Sequence, residues 1–141
     1  MVLREKEDQI RNRLHHDRRS LDTVEVSVLE CFEYAYPGKP TELTITAEEF
    51  TTLCPMTGLP DFATMEIVYV PDQYCIELKS LKYYLVMYRQ VGIFYEHVVN
   101  KILEDLVALC KPLQMEVRGE FRTRGGIHVV AKASYRQDGS E

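Results

Sequence analysis

Two residues seven positions apart, Cys54 and Asp61, supply what covalent catalysis needs: a sulphur nucleophile and a carboxyl group able to carry a proton. They stand in LCPMTGLPDFAT, residues 53–64, where Pro55 and Pro60 restrict the backbone and Gly58 permits a tight reversal. The spacing predicts one stiff loop holding both side chains in fixed relation. A free thiol with a pKa of ~8.5 is only about 3 per cent thiolate at neutral pH, so a reactive cysteine needs a nearby base or cation. No such partner is identifiable from the residue order. Isolated cysteines are more often buried small hydrophobes than nucleophiles, and the residues alone leave both roles open.

Three further features bear on ligand chemistry. In ELKSLK, Lys79 and Lys82 fall on one face at the start of a helix, where backbone N–H groups also favour anions, so a phosphate can bind there. A solvated face with Glu77 as counter-charge fits the same pattern. Arg124, in RTRGG, occupies a glycine-rich turn that a ligand can approach closely, although such turns also serve ordinary hairpins. Glu96, in FYEHVVN, borders an apolar stripe; a carboxylate there can accept two N–H bonds from a purine-like ring, or can face water beside His97.

The whole-chain numbers limit the classes available. With 141 residues, 45% hydrophobic and 28% charged, the chain matches one soluble domain able to bury a core. A net charge of -5 argues against a general nucleic-acid surface and predicts that any nucleotide ligand meets a local basic site. The cysteines Cys31, Cys54, Cys75 and Cys110 form no C-x-x-C pair, and the histidines, which include the adjacent His15 and His16, form no H-E-x-x-H; no metal site is predicted. No apolar run approaches the roughly 20 residues that cross a bilayer, and MVLREKEDQIRNRLHH has no apolar signal segment, so a cytoplasmic location is expected.

These residues need elements to hold them. Residues 1–20 mix both signs of charge and read as a solvated arm or frayed helix, with the domain spanning 21–141. TVEVSVLE alternates Val24, Val26 and Val28 with polar residues, the mark of a half-buried strand, and YPGKP makes a turn. ELTITAEEF and TMEIVYVP also read as strands. MEVRGEFR, with Met115, Val117 and Phe121 inward, and IHVVAKA, with Ile127, Val129, Ala131 and Ala133 inward, predict a hairpin around TRGG. Between the strand groups, Leu81, Tyr84, Leu85 and Tyr88 mark one helix with Ser80 as N-cap, and Val98, Val99, Ile102, Leu103, Leu106 and Cys110 mark a second that Pro112 ends. The order predicts an α+β domain, an antiparallel sheet covered on one face by the helix pair, and its open edges predict an oligomer.

Taken in order, CPMTGLPDFAT, IELKSLKYYLVMYR, FYEHVVN and RTRGG resemble the NADPH-dependent 7-cyano-7-deazaguanine reductases, the nitrile reductases of queuosine biosynthesis, in their short single-module branch. The likeness runs from about Leu21 to the carboxyl end. It implies the tunnelling fold: a four-stranded antiparallel sheet and two helices per subunit, assembled into homo-oligomeric rings with active sites between subunits. The implied reaction consumes two NADPH and converts the nitrile of 7-cyano-7-deazaguanine to the aminomethyl group of 7-aminomethyl-7-deazaguanine, a queuosine precursor, without direct contact to tRNA.

The resemblance also assigns roles. Cys54 adds to the nitrile carbon to form a thioimidate, and Asp61, its carboxyl kept protonated by burial, donates protons to nitrogen. Ile76, Glu77, Leu78, Tyr95 and Glu96 hold the deazaguanine, and Lys79, Lys82 and Arg124 contact NADPH. No GxGxxG is present, so the cofactor would not use a Rossmann unit. Family members often carry histidine immediately before the substrate glutamate; here Tyr95 takes that place and His97 follows Glu96, leaving open which of the two assumes the role. Two other classes stand beside this reading: a purine or pterin hydrolase like the GTP cyclohydrolases, which needs zinc or a histidine-centred set, and a non-catalytic purine-binding ring protein, which has no use for Cys54.

Overall fold

A computed structural model of the chain describes residues 2–17 and 19–138. Four long strands form one antiparallel sheet in the order β2-β3-β5-β6: β2 (Leu43–Leu53), β3 (Pro60–Val70), β5 (Gln114–Arg124) and β6 (Ile127–Arg136). Two short strands, β1 (Cys31–Glu33) and β4 (Tyr74–Ile76), pair separately. Helices α2 (Leu78–Val86) and α3 (Tyr95–Cys110) provide the second layer, and α1 (Val2–Asp17) precedes the domain with its described side chains exposed. This is the α+β arrangement expected, with the helices on one face.

Alternation puts Met65, Ile67 and Tyr69 of β3 and Met115, Val117 and Phe121 of β5 on the covered face, all essentially buried. Against them α3 lays Val98, Val99, Ile102, Leu106 and Cys110, the stripe expected of it. The other sheet face is polar, with Arg118 paired to Glu120 along β5 and Lys132 paired to Glu116 across β5 and β6. Gly119 sits on the covered face where a Cβ would come within 2.8 Å of the Phe121 ring and 3.2 Å of Val99, so only glycine lets α3 and that ring close over β5. A polar chain crosses the core from α2 to α3: the hydroxyl of Tyr84 donates to Asp105 at 2.5 Å and contacts the Tyr88 hydroxyl at 2.7 Å, and Lys101 donates to the other Asp105 oxygen at 2.8 Å.

Four local expectations are corrected. Residues 21–28 form no strand but two 3-10 turns, Leu21–Thr23 and Val26–Val28; Val24 and Val28 face the core while Val26 is exposed, because successive turns satisfy the same alternation without a sheet partner. The N-cap of α2 is Glu77, not Ser80: the Glu77 carboxylate accepts the N–H groups of Lys79 and Ser80 at 2.8 and 2.7 Å, and buried Ser80 instead receives the Glu30 N–H. Ile127 is exposed, since the ladder slips register between Phe121 and Arg124 and the hairpin tip carries past the helices. Gly125 and Gly126, at φ +57° and +78°, make that tip the tight reversal expected of TRGG. Finally, Asp61 is not on the Cys54 loop; it is the second residue of β3.

Candidate active site

Cys54 follows the last residue of β2, and the reversal to β3 closes with two backbone bonds: Cys54 N–H donates to Leu59 O at 2.8 Å, and Gly58 N–H donates to Cys54 O at 2.8 Å. Gly58 has φ +74°, which is why a glycine stands there. The loop is anchored from outside as well, because Leu53 N–H donates to Val91 O and Ile93 N–H donates to Leu53 O. Cys54 and Asp61 therefore meet across the base of a hairpin, a more rigid arrangement than one loop: Thr52 is the register partner of Asp61, and Leu53 that of Pro60.

The cysteines separate by environment. Burial pushes Cys75 up, and burial pushes Cys110 up to about 12. Burial also opposes the Cys54 thiolate, yet the Thr57 hydroxyl and the backbone N–H groups of Thr57 and Met56 outweigh it and hold that thiol below its ordinary value, while the Asp61 carboxylate works weakly against them. The base or cation missing from the residue order is thus replaced by a small nest of donors. Asp61 is buried, 3% exposed. Its Oδ1 accepts from the Tyr95 hydroxyl at 3.0 Å and from the Arg124 guanidinium. Tyr95 is positioned by stacking on Phe121, ring centroids 3.9 Å apart, and burial beside the Asp61 charge pushes its phenol up. The partnership with Asp61 raises Arg124 as well.

One cluster thus gathers Cys54, Asp61, Tyr95 and Arg124. Glu96 and His97 lie next to it on the first turn of α3 but are exposed, and His97 packs edge-on against Phe94. Ile76, Glu77, Leu78, Lys79 and Lys82 form a second cluster elsewhere. Ile76 N–H donates to the Tyr69 hydroxyl at 2.9 Å, and Tyr69 lies eight residues beyond Asp61 on β3, about 26 Å at ~3.3 Å per residue. Ile76 is buried, whereas Leu78, Lys79 and Lys82 are exposed. The anion site expected from the N–H groups at the start of α2 is corrected: the Glu77 carboxylate already takes those of Lys79 and Ser80, and these bonds, Ser80 first, hold it below the usual carboxylate range. Two surface grooves, about 490 Å³ between β2 and α2 and about 400 Å³ on the polar sheet face, reach neither Cys54 nor Asp61. Among the described residues no group of three or more His, Cys, Asp or Glu side chains can hold a metal ion; the His15 and His16 side chains lie outside those residues.

Residue order did not single out Thr57 or Thr52. Thr57 is the third residue after the thiol across a glycine reversal, a spacing that could have flagged it. Thr52 is fully buried and its hydroxyl has no partner.

The chain is similar to known proteins. Residues 60–140 match the family described as QueF-like protein. The NADPH-dependent 7-cyano-7-deazaguanine reductase of Caldicellulosiruptor bescii is 53% identical over 114 residues, 81% of this chain and 87% of that protein. The chain belongs to this reductase family. The family's protein from Chloroherpeton thalassium is 51% identical over 77% of this chain and 93% of its own length, and that from Thermoanaerobacter pseudethanolicus is 48% identical over 86% and 92%. The fold is shared with the crystal structure of the archaeosine synthase QueF-Like in the apo form, with a TM-score of 0.64 at 20% identity over 68% of this chain and 94% of that one. Members of the reductase family are oxidoreductases named for NADPH. No helix among the described residues is long and apolar enough to cross a membrane.

Proposed function

We propose that this chain reduces the nitrile of 7-cyano-7-deazaguanine to the aminomethyl group with two NADPH, in queuosine biosynthesis, through a thioimidate on Cys54. The observation that carries the reading is the Cys54 thiol, held below its ordinary value by three donors at the base of the hairpin that also presents buried Asp61. Two hydrides go to carbon and two protons to nitrogen. The Asp61 carboxylate takes the Cys54 thiol proton, the thiolate adds to the nitrile carbon, and Asp61 passes that proton to nitrogen as the bond forms. Tyr95 and Arg124 on Oδ1 stabilise the carboxylate left behind.

NADPH, when bound, supplies the hydrides. Lys79 and Lys82, exposed cations one turn apart, and the N–H groups of Arg124 not committed to Asp61 suit its phosphates. Glu96 and Tyr95, beside Cys54, and Ile76, Glu77 and Leu78 hold the deazapurine. His97, turned against Phe94, takes no step. Because Glu77 and Asp61 stand at opposite ends of β3, one bicyclic base cannot touch both within a chain. The site therefore combines the Cys54 end of one subunit with the Glu77 end of its neighbour in a ring. A catalytic thiol and a demand for NADPH both suit a reducing compartment, the cytoplasm.

The test is the intact mass after incubation with the nitrile and no NADPH. An adduct that disappears in Cys54→Ala together with turnover is expected; an alanine variant with full activity would sink the mechanism.

A further inference from the structure

The groove between β2 and α2, about 490 Å³, falls within the usual range of small-ligand pockets. Its floor is apolar: Ile45, Ala47 and Phe50 come from the strand, and Leu81, Leu85 and Val86 from the helix. Its charges are sorted by wall. Lys82 of α2 and Arg89 of the 3-10 turn that continues it, Met87–Gln90, stand on the helical side, and Glu48 and Glu49 stand on the strand side. The two carboxylates come from the bulge where β2 gains a residue over β3 between Ala47 and Phe50. Lys82 and Arg89 are exposed, and among the described residues no ion pair or side-chain hydrogen bond commits either of them. They lie seven residues apart, two helical turns, so they edge the same groove with about 10–12 Å of rise between them. In a chain of net charge -5, two unpaired cations beside an apolar groove match a ligand that is flat and apolar in one part and anionic in another.

We infer that this groove holds the adenosine end of NADPH, with Arg89 reading the 2′-phosphate that separates NADPH from NADH. The inference deepens the reading above, in which Lys79 and Lys82 meet cofactor phosphates, and rests on it. The faces of adenine are apolar and suit Ile45, Ala47 and Leu85, while its amino group can donate to Glu48 or Glu49 on the strand wall. The 2′-phosphate and the diphosphate hang from one ribose, so the cations that meet them must stand on one wall, as Lys82 and Arg89 do. Lys82, one turn from Lys79, serves the diphosphate, and Arg89 is left for the 2′-phosphate, which a guanidinium can hold with two parallel bonds. NADH presents a hydroxyl there and leaves Arg89 without an anion. The contact therefore discriminates between the two cofactors instead of strengthening both.

Calorimetric affinities of the full chain for NADP+, NAD+, 2′,5′-ADP and 5′-AMP, with no nitrile present, test this without turnover. Arg89→Gln is expected to weaken NADP+ and 2′,5′-ADP about ten- to a hundredfold, the effect of losing one hydrogen-bonding partner of a charged group, and to leave NAD+, 5′-AMP and Tm at parent values. Arg89→Lys restores part of the loss. Ala47→Phe fills the groove and weakens all four ligands alike, since each carries adenine. Equal loss of NADP+ and NAD+ in Arg89→Gln, or no loss of either, overturns the role of Arg89. Parent affinities in Ala47→Phe overturn the groove as the adenosine site, and a changed oligomeric state alongside them gives the groove to a neighbouring subunit instead. Lys82→Gln at parent NADP+ affinity overturns the reading beneath, that the α2 lysines meet the phosphates, whatever Arg89 does.

Discussion

Replacing Thr57 by valine removes one of the three donors that hold the Cys54 thiolate and changes little else in volume. A hydrogen bond to a charged group contributes about 1.5–3 kcal/mol, and Cys54 is only partly buried, so the lower end applies. About 1.4 kcal/mol raises the thiol pKa by about one unit. Below the pKa this cuts the thiolate about tenfold, but a more basic thiolate is the better nucleophile; with a Brønsted slope of about 0.5 each thiolate reacts about threefold faster. Alkylation by iodoacetamide should therefore fall about threefold on the acid side of the thiol titration and rise about threefold on the alkaline plateau, the two profiles crossing between. Thr57→Ser should restore the parent curve. Profiles that stay parallel, or a variant slower at every pH, would show that the Thr57 hydroxyl does not set the thiol, and the account of Cys54 activation would fail.

Gly119→Ala places a Cβ 2.8 Å from the Phe121 ring, and overpacking of this kind costs about 1–3 kcal/mol; Tm measured by calorimetry should drop by roughly 2–10 °C, and turnover should fall more than stability alone explains because Tyr95 rides on that ring. If the site is shared between subunits, inactive Cys54→Ala and inactive Glu77→Gln chains, unfolded and reassembled together in equal amounts, should recover about a quarter of parent activity, since heterologous contacts pair the two ends at random. A mixture as inactive as its components refutes a shared site.

Much of this was legible in residue order for a simple reason: helix and strand periods report on burial, and burial here is one continuous layer. The α3 stripe from Val98 to Cys110 and the alternation of Met115, Val117 and Phe121 were readable because each faces that layer along its length. Val24 to Val28 misled because period two also fits successive 3-10 turns, and only a partner strand distinguishes them. Ser80 misled because capping statistics favour serine, while the Glu77 carboxylate, one turn earlier, reaches two N–H groups at once. Cys54 and Asp61 were visible as types, but their chemistry lies in the hydroxyls around them. Whether a threonine hydroxyl is a spectator depends on what lies across the ladder. A one-residue slip between β2 and β3 would carry Thr52 away from Asp61 to the open face with every other residue of the sequence unchanged. That dependence on register is why Thr52 could not be read from the chain.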